Sequence, residues 1–486
     1  MSNFIPFPQS TVTVGENTYQ LARSNETGEK FLVVRGSTAG FQCGFPGRDG
    51  ATLFPLLPVN AAELRARLPW LRPVPLGLQT SFGFGDRLGL ATPGHVRAIR
   101  DVNIAPIFAQ QSVRENARTG RTPQQVIDDA MWGLFQEGWQ KPWGADADHL
   151  KSLADLESFT TAGYTFYTFD LSDFVDNQAQ WDALPALWVK YTGLPWDELE
   201  SSPEAMKLSY TDCVFGLDGL SLTFDEITLL RASVKYGRAL AHIVKMYQAL
   251  KSLLANRDYD LEISLDESDT PTSPHEHFFI AKELHRLGVG WVSLAPRFVG
   301  RFEKGVDYIG DLSRFEAELK QHVVVMQYFG NYKFSLHSGS DKFSLYPILA
   351  RHSTGKLHVK TAGTSYLEAL RVVADVAPGF FRQIFDYCLQ RFSVDRQSYH
   401  VSAKPENIPP VNMLKDAELP GLLNAFDSRQ ILHVTFGSVL DRFGSQLKAL
   451  LTANEPEYSH RLEEHFQRHL LPISEFLSGS DNRPPA

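Results

Sequence analysis

Residues 335–344 decide the fold, and they read SLHSGSDKFS. The stretch closes a predicted strand, residues 332–337, with a turn of small residues and starts a helix near Asp341. If the apolar side chains of the strand face packed helices, its two-residue period places Ser335 and His337 on the opposite, inward face. Polar side chains at the carboxyl end of a buried strand are typical of α/β enzymes, which carry their chemistry there.

A succession of strand, polar strand end and helix repeats eight times along the chain. The predicted strands are residues 76–82, 104–110, 143–149, 164–170, 261–267, 290–295, 332–337 and 357–361. Strands that alternate with helices indicate parallel pairing. Eight of them favour a closed (β/α)8 barrel, the TIM barrel, over an open doubly wound sheet.

Three segments are added to this barrel. Residues 1–70 show alternating β patterns and predict a small β-rich accessory unit. The barrel spans residues 71–404 and is interrupted after its fourth strand by a mostly helical insertion, 178–256, which could be a lid, a substrate wall or a subunit contact. Residues 405–486 predict a helical extension whose tail, from Ser478, is disordered.

The composition predicts a soluble globular protein. Of its 486 residues, 43% are hydrophobic and 21% are charged, and the formal net charge is −9. This acidic balance argues against a nucleic-acid or anionic-membrane partner, which would require a basic surface. With no leader, no run of about eighteen apolar residues and three scattered cysteines, a cytoplasmic location is expected. A homodimer remains an open alternative to a monomer.

Histidines and carboxylates stand on several predicted strands, where a barrel could gather them. Nitrogen and oxygen ligands from different strands, with a position left open for substrate, are what a catalytic divalent-metal site requires. We therefore expect His149, His337 and His358 to bind a divalent cation, Zn, Mn, Co or Ni, with Glu267 beside them. A hydrogen-bonded core histidine remains an alternative for His337, and His358 could point inward without binding metal.

No nucleotide-cofactor motif accompanies these strand ends. Gly83 and Gly85 match the first two glycines of a dinucleotide fingerprint, but Leu88 stands where the third is required. The sequence has no phosphate-binding P-loop and no serine-hydrolase elbow. Bound NAD is therefore not expected.

Four segments resemble the tagaturonate/fructuronate epimerase family. They are residues 143–151 (WGADADHLK), 264–274 (SLDESDTPTSP), 335–342 (SLHSGSDK) and 357–364 (LHVKTAGT). The likeness extends from about Gly83 to Thr364. It implies a metal-dependent TIM-barrel enzyme that interconverts D-tagaturonate and D-fructuronate in hexuronate catabolism.

The resemblance also implies a role for each strand-end residue. His149, His337 and His358 match the positions where such an enzyme would hold its cation, and Asp148 and Glu267 match its proton-transferring carboxylates. The carbon to be inverted is β to the ketone, so simple enolisation does not reach it. Retro-aldol cleavage and readdition on the other face is the expected route, with the cation stabilising the enolate and a carboxylate removing the β-hydroxyl proton.

A carboxylate-bearing substrate needs a cationic partner in the same site. Lys342, Lys360 and Arg297 are the predicted candidates, each with the alternative of being a solvated charge at a strand end. The turn that follows the seventh strand could add backbone donors, and we include Ser338 and Asp341 in the predicted substrate site.

Two other functions remain open at this point. The same metal and carboxylates would serve aldose–ketose isomerisation or aldol cleavage of a sugar acid. A non-catalytic sugar-acid sensor would bind its ligand without turnover.

Overall fold

The N-terminal part of the chain is an antiparallel sheet followed by one helix. The computed structural model describes residues 4–330 and 332–479. The first elements are β1 (Phe4–Pro6), β2 (Val12–Val14), β3 (Asn17–Ser24), β4 (Lys30–Arg35), β5 (Phe45–Pro46), β6 (Thr52–Pro55) and α1 (Pro58–Arg67). The strand order is β1-β3-β4-β6-β5, with β2 paired to β3. Leu21, Leu32 and Phe54 of this sheet are buried in the same core as the barrel.

The first half of the barrel follows at once. Its elements are β7 (Ser81–Gly85), α2 (Thr92–Ile99), β8 (Ala105–Ser112), α3 (Val113–Thr119), α4 (Pro123–Gln136), β9 (Gly144–Leu150), α5 (Leu153–Ala162) and β10 (Phe166–Asp170). Helix α4 starts at a capping box. Thr122 Oγ1 accepts a hydrogen bond from the backbone N–H of Gln125, and Gln125 Oε1 accepts one from the backbone N–H of Thr122.

Between β10 and the next barrel strand the chain forms α6 (Leu184–Thr192), α7 (Pro203–Tyr210), a hairpin of β11 (Val214–Leu217) and β12 (Leu220–Thr223), and α8 (Glu226–Leu254). The hairpin differs from the helical pattern expected there, and its turn contains Gly219 at φ +72°. Helix α8 contacts α5 and α9 (Pro274–Arg286), the helix that follows the next barrel strand. It therefore occupies the place of the fourth barrel helix.

The second half of the barrel consists of β13 (Asp260–Ser264), α9 (Pro274–Arg286), β14 (Ser293–Ala295), α10 (Leu312–Phe329), β15 (Lys333–Leu336), α11 (Tyr346–His352), β16 (Leu357–Thr361) and α12 (Thr364–Val376). The eight strands close in the order β10-β13-β14-β15-β16-β7-β8-β9. Every neighbouring pair is parallel. Each predicted strand overlaps an observed one, so the predicted TIM barrel is confirmed.

In the described residues four α-helices follow the barrel, and the last one packs back onto it. They are α13 (Pro378–Asp395), α14 (Phe426–Val434), α15 (Phe436–Ala453) and α16 (Glu455–Gly479). Helix α16 contacts α2, α11 and α12, and the Phe466 ring lies 5.1 Å from that of Phe84 on β7. The helix includes Ser478, where disorder was expected, and residues 480–486 of the predicted tail lie outside the described residues. Among the described helices, none is long and apolar enough to span a membrane.

Candidate active site

The carboxyl ends of the barrel strands surround a cavity of about 390 Å³, lined by Asp266, Glu267, Arg297, His337 and Ser338. A narrower pocket shares some of these residues and continues to the ends of β9 and β16. It is lined in addition by three residues of the predicted site, Asp148, His149 and Lys360. Seven of the predicted site residues therefore line one or both of these two pockets.

His149 lies near the end of β9 and has a backbone φ of +56°, in the left-handed region that residues other than glycine rarely adopt. Its Nδ1 lies 2.7 Å from Asp148 Oδ1, within hydrogen-bonding distance. Burial acts to lower the pKa of His149, but the Asp148 carboxylate outweighs it and holds the pKa well above the usual 6.5. His149 Nε2 points to Asp266 Oδ1, 3.5 Å away, which is too long for a good hydrogen bond.

His337 follows β15 and is 1% exposed in its side chain. Its Nε2 lies 2.6 Å from Glu262 Oε1, and its Nδ1 lies 2.9 Å from Asp266 Oδ1. Burial acts to lower the pKa of His337, but these two carboxylates raise it to about 9. The centres of the His149 and His337 rings are 5.0 Å apart. The structure thus brings together two histidines that are far apart in the sequence.

Three groups of side chains in the described residues could hold a metal ion: Asp341 with His465 and His469 of α16, and two groups that overlap at the cavity. One consists of His149, Asp266 and His337, whose ligand atoms all lie within 4.8 Å of one another. The other consists of His149, Asp170 and Glu267. Both stand at the carboxyl ends of β9, β10, β13 and β15.

The structure does not place His358 in either group. His358 is the second residue of β16, in register with Ser81 of β7, and not at the carboxyl end of its strand. Its Nδ1 lies 3.0 Å from Ser81 Oγ, and burial holds its pKa well below the usual 6.5. The His358 ring therefore points inward, in line with the alternative that it does so without binding metal. It lies one layer deeper in the barrel than His149 and His337.

Lys360 is the centre of a buried charge network. Its Nζ lies 2.7 Å from Asp146 Oδ2, 2.8 Å from Asp148 Oδ1 and 2.9 Å from Glu262 Oε1. Burial acts to lower the pKa of Lys360, but the three carboxylates hold it well above its ordinary value. Burial raises the pKa of Asp146 to about 7, and the neighbouring carboxylates add to this effect. The Lys360 ammonium is thus paired with acidic side chains of the barrel itself.

Lys342 and Asp341, both predicted to bind substrate, face away from the cavity. Lys342 is fully buried, and its ammonium donates to the backbone carbonyls of Glu303, Val306 and Ser340. Asp341 has a φ of +60°, and its carboxylate accepts from Arg429 and contacts His465 of α16. The turn after β15 therefore directs these charges to the loop after β14 and to the C-terminal helices.

The three other predicted residues stand at the cavity wall. Glu267 is partly exposed, with Oε1 3.6 Å from the Arg114 guanidinium. Ser338 Oγ accepts a hydrogen bond of 2.6 Å from Lys304. Arg297 donates to the carbonyl of Phe298 at 2.8 Å.

The sequence reasoning missed several residues of the site. Glu262 could have been found from the sequence, because it lies two residues before Ser264 on β13 and residues two apart on a strand share a face. Asp266 lies in the turn two residues after the strand. Asp146 precedes Asp148 by two residues on β9, so the two-residue period of a strand relates the two side chains. Lys304 lies in the loop after β14, where no periodicity marks it.

Comparisons with known proteins identify the family of this chain. A family model described as UxaE, tagaturonate epimerase, matches residues 7–472. A tagaturonate/fructuronate epimerase of Thermotoga maritima is 47% identical over 413 residues, which cover 85% of this chain and 84% of that protein. Crystal structures of the fructuronate-tagaturonate epimerase UxaE from Cohnella laeviribosi, native and with one glycerol, each match with a TM-score of 0.91 and 38% identity, over 97% of this chain and 96% of theirs. The family predicted from the sequence is confirmed, and the chain belongs to the tagaturonate epimerase family.

Proposed function

We propose that this protein is a metal-dependent epimerase that interconverts D-tagaturonate and D-fructuronate in hexuronate catabolism. One observation carries the proposal: in a chain of this family, His149, Asp266 and His337 offer ligand atoms within 4.8 Å of one another beside an open cavity. Two imidazoles and a carboxylate from different strands suit a catalytic divalent cation that keeps positions free for substrate.

The residues present fit such a cation. His149 Nε2 is buried and has no hydrogen-bond partner among the described residues, although it faces the cavity. The carboxylates raise the pKa of both imidazoles, which indicates a site that favours positive charge. A bound divalent cation would polarise the substrate ketone and stabilise the negative charge that develops on it. We assign its binding to His149, Asp266 and His337, without His358.

We assign the transfer of the β-hydroxyl proton to Glu267. Its side chain is about one-third exposed at the cavity, and its nearest cation, Arg114, is 3.6 Å away, so an oxygen atom is accessible to substrate. We do not assign proton transfer to Asp148. Burial acts to raise the pKa of Asp148, but His149 and Lys360 hold it well below its usual range. Such a carboxylate is a weak base. We propose that it orients the His149 ring.

The test is turnover by the purified chain after chelation, with Zn, Mn, Co and Ni returned one at a time and the products resolved chirally. We expect D-fructuronate as the product from D-tagaturonate, with activity lost on chelation and regained with at least one metal. Three-carbon fragments or an aldose would instead indicate an aldolase or an isomerase. Binding without turnover under every metal would indicate a sensor.

A further inference from the structure

We propose that Lys304, assisted by Arg114 and Ser338, binds the carboxylate of the substrate and thereby makes the site selective for sugar acids over neutral ketoses. This inference rests on the proposed function and extends it to the end of the substrate that doesn't react. Neither Lys304 nor Arg114 belongs to the cations predicted from the sequence.

Lys304 lies where the cavity and the narrower pocket meet, and it lines both together with His337 and Ser338. Its Nζ donates to Ser338 Oγ at 2.6 Å, and within the described part of the chain it forms no ion pair. One hydroxyl oxygen accepts a single hydrogen bond from an ammonium group that can donate three. The remaining donors are available to an anion in the cavity.

Arg114 supplies a second positive charge on the same cavity. Its side chain is 43% exposed and lies 3.6 Å from Glu267 Oε1, and its guanidinium lies 5.5 Å from the centre of the Tyr399 ring, which also lines the cavity. Burial lowers the pKa of Lys304, and the charge of Arg114 lowers it further. A carboxylate near both cations would relieve this repulsion, since it can accept from both at once.

The other cations near the cavity are held by several oxygen atoms of the protein or do not line the narrower pocket. Lys360 contacts three carboxylates, and Lys342 donates to three carbonyls. Arg297, which donates to a carbonyl oxygen, and Arg301, which is 62% exposed and lies 3.6 Å from Glu303, line the wider cavity but not the narrower pocket that reaches His149. Lys304 is thus the cation whose position and free donors fit best.

The placement also suits the shape of a keto-uronate, which carries its carboxylate at one end and its ketone next to the other. Lys304 and the group of His149, Asp266 and His337 line the same space, so both ends of one molecule can be held together. Holding the unreactive end fixes the orientation of the β-hydroxyl relative to Glu267.

The experiment compares an anionic and a neutral ligand. Lys304→Met removes the charge, Lys304→Arg restores it, and Arg301→Gln removes a charge from the rim of the same cavity as a matched control. For each protein the KM for D-tagaturonate is measured by turnover, and the Kd values of D-tagaturonate and of D-tagatose, its neutral counterpart, are measured by calorimetry.

We expect Lys304→Met to raise the KM and the Kd for D-tagaturonate about 10- to 100-fold, since a charge-assisted hydrogen bond is lost. The Kd of D-tagatose should stay within about twofold. Lys304→Arg should recover most of the loss, and Arg301→Gln should behave as the unmodified protein. Equal weakening of both ligands by Lys304→Met, or no weakening of either, would overturn the assignment. If the unmodified protein binds D-tagaturonate but never converts it, the proposed function fails while the binding comparison still decides the role of Lys304.

Discussion

His337 provides a quantitative test of the site through the pH dependence of stability. Its side chain is 1% exposed and lies against Glu262 and Asp266, which raise its pKa to about 9 in the folded protein. In the unfolded chain the pKa returns to about 6.5. Because the folded-state pKa is raised, the stabilisation is fully present below pH 6.5 and is lost as the pH rises through 9. Its full size is about 3 kcal/mol.

The assay is urea unfolding of the unmodified protein and of His337→Ala at pH 6, 7, 8 and 9, in the presence of chelator. The unfolding free energy of the unmodified protein minus that of His337→Ala should fall by about 3 kcal/mol between pH 6 and pH 9, with most of the fall above pH 7. His358→Gln serves as the control of opposite sign, because the pKa of His358 lies below its usual value and its effect should appear only below about pH 6.5. A difference between the unmodified protein and His337→Ala that does not change with pH would refute the proposed pairing of His337 with the two carboxylates.

Three further predictions test other parts of the site. Lys360→Met leaves three buried carboxylates without their cation, so we expect a loss of about 3–5 kcal/mol in unfolding free energy, whereas a change confined to KM would contradict the network. Glu267→Gln should lower kcat about 10²- to 10⁴-fold with little change in Tm, and an unchanged kcat would exclude Glu267 as the proton-transferring group. His149→Asn should reduce the bound metal measured by elemental analysis, while His358→Asn should retain it; the reverse result would restore His358 as a ligand.

The barrel could be predicted because buried strands and their polar ends leave a local signal. His149 and His337 were predicted for the same reason, since each directly follows or ends a run of buried residues. The alternation on β13 could have added Glu262, which shares a face with Ser264.

Other features depend on contacts that no local pattern records. Gly83 and Gly85 look like part of a dinucleotide motif, but a side chain at Gly85 would meet the Thr361 carbonyl oxygen at 2.6 Å, so close packing of β7 on β16 accounts for this glycine. Lys342 and Asp341 were predicted to bind substrate because they follow His337 closely in the sequence. The turn after His337 contains two residues in the left-handed region, Ser338 and Asp341, and it directs both charged side chains away from the cavity. Sequence proximity to a site residue is therefore a weak guide beyond the end of a strand.

One electrostatic requirement connects the buried charges of the barrel mouth. Four carboxylates, Asp146, Asp148, Glu262 and Asp266, surround three groups that carry positive charge, namely Lys360 and the protonated rings of His149 and His337. The surplus negative charge is consistent with the pKa of about 7 at Asp146, the most buried carboxylate of the set together with Glu262. A divalent cation that displaces the two imidazole protons supplies the same two charges, so the balance around Lys360 is preserved. Lys360 would then serve neither substrate nor proton transfer, and its function would be to keep the surrounding carboxylates ionised and in place for the histidines that they orient.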